Sequence, residues 1–363
     1  GDTQVTRTYE LKLKPSNSQR IQLDNYFYEA KCLYNYFLNC SNIFAVHACK
    51  VTNIWKLDKD KNKVKLSLDY LPAKIRQNVH RNMLSSIKAL SIAKQTGRSV
   101  GRLKFKSELN SLDFDNQSFR IVNNKVKLAG FGKQTIRCYG VGQLQDIVKF
   151  RNARLIKKFS GYYLKVCVTK EIVEAATNGQ NVGIDMGIKD NIILSTGEKL
   201  NCKLKESVRL KKLSRKYNRM LHINGKRTNN SQKVRSQLNR EYEKILNRKA
   251  DFANKLMHYL DNFDHIVFQD EQLNGWKNLT GNCKTIQHSC LGTIKQKLKV
   301  KFTEEPERYV CLDKWLPTTK YCPNCKSKNN VSLDDRTYKC SCGYEFDRDT
   351  HAANNMLIFA NLA

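Results

Sequence analysis

A chain of 363 residues has room for two or three domains and at least one sizeable core, and 40% hydrophobic with 9% aromatic content excludes a disordered polypeptide. Its 65 Lys and Arg against 33 Asp and Glu leave a net charge of +32. An excess that large repels itself in a compact state and argues for a polyanionic partner, nucleic acid first, since each phosphate contact releases counterions.

The basic residues run along the whole chain, not along one amphipathic segment, and no apolar run is long enough to span a bilayer, so no membrane partner is expected. The opening Gly1-Asp2-Thr3-Gln4 lacks the form of a signal peptide. The expected setting is a reducing cytoplasm around the nucleoid, or the nucleus for a eukaryotic source. Thirteen cysteines fit that setting. Nine are scattered (Cys32, Cys40, Cys49, Cys138, Cys167, Cys202, Cys283, Cys290 and Cys311) and read as small buried apolar residues. Only the last four cluster.

In chain order, Val5, Tyr9, Leu11 and Leu13 share one face of a strand that Pro15 ends. Ser18 then offers an N-cap to a helix with the stripe Leu23, Phe27, Ala30, Tyr34 and Phe37. Residues 18–96 read as mostly helical, with a Lys-rich break at 58–65, and the helix-like stretch 71–93 carries Arg76, Gln77, His80, Arg81 and Asn82. From about residue 102 short strands follow, at 118–122, 125–128, 135–138 and 148–150. A hairpin pairs 153–157 with 162–168 around Ser160-Gly161. This pattern predicts a small β-barrel, completed by the first strand and carrying a helical insertion. Strands at 182–185 and 191–196 come next, then a very basic helical hairpin over 203–261 that breaks near Asn224-Gly225 and Asn229-Asn230. Its apolar face is read as Leu238, Tyr242, Ile245, Phe252, Leu256 and Tyr259. A strand at 265–269 and a helix at 291–300 follow.

Three of these segments present acids. Gly183-Ile184-Asp185-Met186-Gly187 ends an apolar strand in a carboxylate beside a glycine, and Ile266-Val267-Phe268-Gln269-Asp270-Glu271 ends another in two. Asp347-Arg348-Asp349 opens a helix rich in small residues, where acids also serve simply as caps and dipole partners. Each segment alone is ordinary. Together they suit phosphodiester hydrolysis, in which hard carboxylate oxygens hold two Mg²⁺ ions roughly 4 Å apart. Between the second and third acidic segments, Cys322-Pro323-Asn324-Cys325 and Cys340-Ser341-Cys342 give two cysteine pairs. Four thiolates so spaced suit tetrahedral structural Zn²⁺, although the second pair has one intervening residue where two are usual.

Taken together, these residues resemble the TnpB family of transposon-associated nucleases, relatives of Fanzor proteins and compact type V CRISPR effectors. The similarity lies in Pro15 and Gln19 at the start, Gly183-Ile184-Asp185-Met186-Gly187, the lead-in Trp315-Leu316-Pro317-Thr318-Thr319-Lys320-Tyr321-Cys322, and above all Cys342-Gly343-Tyr344-Glu345-Phe346-Asp347-Arg348-Asp349 with His351-Ala352-Ala353. The resemblance implies a multidomain α/β chain. A β-barrel wedge domain would span 1–17 and 102–180, and a helical recognition domain 18–101. An RNase H-like (RuvC) nuclease domain would span 181–317 and 343–363, with a zinc-ribbon nucleic-acid-binding insertion at 318–342. It implies Asp185, Glu271 and Asp349 as the catalytic, magnesium-binding acids. Glu271 is preferred to its neighbour Asp270 on the pattern of members with an Asp-Glu pair and a following Trp, here Trp276. His351 stands where Asn is commoner. It further implies a guide RNA, double-stranded target DNA and a monomer, or a dimer on RNA, with Gln77, Arg81 and Asn82 as contacts to a short motif beside the target. A guide-independent transposase or resolvase would use the same acids without RNA. A repressor derived from a nuclease would not need all three.

Overall fold

A computed structural model describes residues 3–225, 227–273, 275, 286–332 and 334–363 of the chain. Trp276 and Cys283 lie outside the described residues. The chain forms two compact units, Gly1–Ile172 and Val173–Ala363.

The first unit opens with β1 (Gln4–Lys14) and α1 (Asn17–Leu38). The cap of α1 is Ser16, two residues before the expected Ser18. Its hydroxyl accepts the Gln19 N–H at 3.3 Å, and the Gln19 side chain accepts the Ser16 N–H at 3.0 Å, a reciprocal pair that satisfies two backbone donors. The Lys-rich break is part of a β-hairpin, β2 (Asn53–Leu57) with β3 (Lys63–Ser67), and α2 (Ala73–Gln95) follows. The alternation of Ile54 and Leu66 with lysines is too short and too basic to announce that hairpin. Six further strands are β4 (Ser111–Asp115), β5 (Phe119–Val122), β6 (Lys125–Leu128), β7 (Ile136–Tyr139), β8 (Ile147–Lys158) and β9 (Gly161–Glu171). They join β1 in an antiparallel sheet of order β4-β8-β9-β1-β7-β6-β5. The first strand thus sits mid-sheet between β9 and β7, with both helices inserted between it and the rest. One core joins Leu11 and Leu13 of β1, Tyr26 and Phe27 of α1, and Phe114, Leu128 and Val166 of the later strands.

The second unit is a layered α/β body. Its strands are β10 (Asn181–Met186), β11 (Ile192–Leu194), β12 (Lys199–Leu200), β13 (His265–Gln269) and β14 (Tyr309–Leu312), in the order β12-β11-β10-β13-β14. β10, β13 and β14 run parallel, while β11 and β12 are antiparallel additions. The basic hairpin is α3 (Val208–Asn224) and α4 (Asn229–Leu260), and the later helices are α5 (Leu291–Glu304) and α6 (Arg348–Phe359). Side chains alternate across a strand. Ile266 and Phe268 therefore pack with Leu256 and Leu260 of α4 and Ile294 and Leu298 of α5, while Val267 packs on Met356 and Leu357 of α6. The apolar face read for α4 is correct at Leu238 and Leu256. Tyr242 is exposed instead, and its neighbour Glu241 is buried in ion pairs with Arg209 (3.5 Å) and Lys244 (2.9 Å). Cys202 and Cys290, expected as separate apolar residues, form a disulfide across 88 residues, next to the bridge Lys203–Ser289. No spacing rule connects cysteines so distant in sequence. A small two-stranded sheet, β15 (Thr337–Lys339) with β16 (Glu345–Asp347), leads into α6. Among the described residues no helix is long and apolar enough to cross a membrane.

Candidate active site and metal centre

On β10, Val182, Ile184 and Met186 enter the α4–α5 core, so Gly183 and Asp185 take the other face, toward α6. A Cβ on Gly183 would sit 2.1 Å from the Ala353 carbonyl oxygen, so only glycine lets α6 rest directly on the strand. α6 is started by Asp347, whose carboxylate accepts the N–H groups of Asp349 (2.9 Å) and Thr350 (3.2 Å). With Asp347 committed to capping, the next acid, Asp349, is left for other work. It forms an ion pair with Lys199 of β12.

The second acidic segment is arranged in a similar way. Buried Gln269 ends β13, donating to the carbonyls of Asp313 and Leu316 (both 2.9 Å) and accepting from the Thr318 hydroxyl (3.0 Å). Asp270 follows and is drawn to α5 by Lys299 (2.9 Å) and Lys295 (3.4 Å); the Lys299 contact, then Lys295, hold its carboxyl below the usual range. Glu271 is treated differently: Lys295 donates to its backbone carbonyl and not to its carboxylate. Burial pushes the Glu271 carboxyl up, Asp270 adds to that, and the charge of Lys295 opposes it.

Of the acids, Asp185 carries the largest perturbation. Burial first, then the charges of Glu271 and Asp349, push its carboxyl up to about 7 against the pull of the Met186 N–H. Asp185 therefore feels both other acids, contributed by the segment after β13 and by the first turn of α6. The three do not converge as closely as the cysteines do. Among the described residues, only Cys322, Cys325, Cys340 and Cys342 form a ligand group with all donor atoms within 4.8 Å.

That cysteine cluster could hold a metal. The sulfurs of Cys322 and Cys342 lie 3.7 Å apart, and those of Cys325 and Cys340 3.5 Å. A tetrahedron with metal–sulfur bonds of about 2.3 Å has edges of about 3.8 Å. The shortened second pair is accommodated because Gly343 adopts a φ of +92°, turning the chain back at once. The Cys342 N–H, then the Ser327 hydroxyl, pull the Cys340 thiol down to about 5, toward thiolate. The cluster is tied to α6: Asn355 donates to the carbonyls of Thr318 (2.7 Å) and Tyr321 (2.9 Å), and His351 stacks on Tyr338 at 3.8 Å between ring centroids. His351 thus does packing work between α6 and the ribbon.

Gln77, Arg81 and Asn82 all lie exposed on α2. Arg81 donates to Asn78 at 2.7 Å, and Asn82 donates to Asp113. Their neighbours Arg76 and His80 face inward onto the carbonyls of Leu71 and Cys49 and of Ile43. Lys199, Lys295 and Lys299, which sequence patterns do not single out, sort the acids by pairing with particular ones. The only sequence signal for the last two is their four-residue spacing on one helix face.

Two family models match parts of the chain. One, described as "Probable transposase" (IS605 OrfB), covers residues 165–267; the other, described as "Cas12f1-like, TNB domain", covers residues 292–356. The first includes Asp185 and the second includes the four cysteines and Asp349; Glu271 lies between them. A protein from Streptomyces pristinaespiralis named "Putative RNA-guided DNA endonuclease" is 29% identical over 204 residues, covering 54% of this chain and 49% of that protein. The chain thus matches about half the length of that relative. The solved structure titled "Cryo-EM structure of the Cas12f1-sgRNA-target DNA complex" aligns over 97% of this chain and 98% of that one, at 13% identity and a TM-score of 0.26. In two separate segments, then, the chain is similar to the family models of IS605 OrfB transposases and of the Cas12f1-like TNB domain.

Proposed function

We propose that this chain is an RNA-guided DNA endonuclease of the transposon-associated type, with Asp185, Glu271 and Asp349 as its catalytic acids. The observation that carries the reading is the placement of these acids at the ends of β10 and β13 and in the first turn of α6, where burial and the charges of Glu271 and Asp349 raise the Asp185 carboxyl. Three acids come from distant parts of the sequence, and two of them, Asp185 and Glu271, are held off their ordinary ionisation. The site lies toward the carboxyl ends of the parallel strands β10 and β13, where open α/β sheets bind ligands. Hard oxygen donors of this kind fit Mg²⁺. When bound, a pair of such ions activates water and stabilises the leaving oxygen of a phosphodiester. The protein's part is to aim the carboxylates: Asp347 fixes the start of α6, Gln269 fixes the end of β13, and the α5 lysines withdraw Asp270.

In this reading the second unit is an RNase H-like (RuvC) nuclease, residues 181–317 and 343–363, and residues 318–342 are a zinc ribbon on Cys322, Cys325, Cys340 and Cys342. Residues 1–17 and 102–180 are a barrel-like wedge around a helical lobe, 18–101. Gln77, Arg81 and Asn82 are the lobe's candidate DNA contacts. A bound guide RNA supplies sequence specificity by pairing with one strand of double-stranded DNA. The charge of +32 and the name of the relative matched over about half its length support RNA and DNA as the partners.

The test is cleavage of duplex DNA by protein purified with its copurifying RNA. Asp185→Ala is expected to abolish cutting while RNA and DNA binding persist. A variant that still cuts sinks the site assignment. The "Probable transposase" description of the matching model favours one alternative, a guide-independent transposase. Protein stripped of RNA that cuts unaided would establish that reading instead.

A further inference from the structure

We propose that a groove on the first unit binds unpaired RNA bases, stacked on Tyr28, Trp55 and Phe105, with the flanking phosphates on Lys31, Lys56 and Lys63. The inference deepens the proposed function by naming where an RNA partner is gripped. It rests on the nucleic-acid reading of the charge and is independent of the three acids.

The groove holds about 690 Å³, ample for one or two bases, and among the described residues no acidic side chain lines it. Its walls come from three places: α1 gives Tyr28 and Lys31, the β2–β3 hairpin gives Trp55, Lys56 and Lys63, and the segment after α2 gives Phe105. The hairpin buries one face and leaves the other bare. Ile54 is buried on α1's side, while Trp55, next along the strand, is 51% exposed opposite Lys65. Tyr28 is 39% and Phe105 65% exposed. Three large rings around one cavity, none of them used to build a core, form an apolar surface that awaits an occupant.

The charges identify that occupant. The ammonium groups of Lys31 and Lys56 lie 4.8 and 5.1 Å from the Tyr28 ring centroid, and that of Lys63 lies 5.3 Å from Trp55. Lys56 also donates to the Tyr28 hydroxyl. Rings interleaved with cations match alternating bases and phosphates of a single strand: each base stacks on a ring, and the ammonium moves a short way onto the adjacent phosphate. A duplex offers no free base face to such a site. The rings are held ready. Both polar ends of the Asn35 side chain bond the backbone of Lys106, at 2.9 and 2.8 Å, which pins the segment bearing Phe105 to α1. Tyr36 and Asn39 line the same groove with neutral hydrogen-bonding groups, which a ribose 2′-hydroxyl can use and a deoxyribose cannot.

The experiment uses the full chain and an unstructured uridine octamer, with its deoxy counterpart as the second arm. Binding is followed by the anisotropy of a labelled octamer and by tryptophan fluorescence. The RNA is expected to quench fluorescence, and Trp55→Ala and Phe105→Ala are each expected to weaken binding about tenfold. Trp55→Phe is expected to restore affinity but not the quench. Lys63→Ala is expected to lower the log–log salt slope by about one. Unchanged RNA affinity in both alanine variants, with circular dichroism showing them folded, overturns the groove. A deoxy octamer bound as tightly, with the same dependence on Trp55, overturns its assignment to RNA. If octamer binding behaves as expected but no DNA is cut, the nuclease reading fails and the groove stands.

Discussion

Asp270 and Glu271 are adjacent carboxylates with opposite fates. Lys299 and Lys295 hold Asp270 in its charged form, whereas Glu271 is pushed toward neutrality by burial. Glu271→Gln is therefore expected to abolish DNA cutting. Asp270→Asn is expected to retain it and to cost about 1 kcal/mol of stability, the scale of a partly exposed ion pair. Parallel cleavage assays and thermal melts decide between them; cutting that survives Glu271→Gln and not Asp270→Asn would reverse the assignment. Asp185 makes a second prediction, in pH. Its unfolded carboxyl titrates near 3.9, and its folded one near 7. Between those values the folded chain holds a proton that the unfolded chain has lost, so stability falls as pH rises through the window. Asp185→Asn removes that penalty. Without added divalent metal, the variant is expected to be more stable than the parent at pH 8, by up to roughly 4 kcal/mol, and nearly equal to it at pH 4. Melting curves showing equal differences at both pH values would contradict the cause given for the shift.

Among the elements, α6 does the most joining. Its first turn presents Asp349, its middle rests on Gly183 of β10, and its Asn355 and His351 grip the cysteine ribbon. Ribbon integrity and acid placement therefore share one helix. If the four sulfurs hold zinc, metal analysis is expected to find about one zinc per chain, and Cys322→Ser is expected to lose it. Hydrogen exchange is then expected to speed up in the ribbon and in the first turns of α6 together. Exchange confined to the ribbon would show that the coupling through Asn355 and His351 is weak. The elements also divide by how plainly the sequence announces them. The α3–α4 hairpin, broken at Gly225, and β13 with its run of apolar residues were legible from period and turn chemistry. The β2–β3 hairpin and β14 were not, because only pairing with neighbours makes them strands.

At the scale of the whole molecule, the charge of +32 outweighs every local feature in setting how the chain meets a polyanion. Nucleic-acid affinity is expected to fall about 10³-fold or more between 50 and 200 mM salt, as it does when six or more phosphates are neutralised. Binding assays across that range check it. A shallow slope would mean that most of the basic surface faces solvent, not phosphate.

The sequence by itself determined the chemistry on offer: carboxylates at the ends of apolar strands, four cysteines paired for a metal, and a basic chain seeking a polyanion. Residue type and local spacing carry that information directly. Only the tertiary structure decided which groups each acid meets. Asp347 is spent on a helix cap, Asp270 on the lysines of α5, and Asp185 is burdened by two charges that arrive from far along the chain. Those assignments depend on which groups meet across the fold, as does the pairing of Cys202 with Cys290. Local spacing does not encode such meetings; the burial of one core on each face of the sheet does.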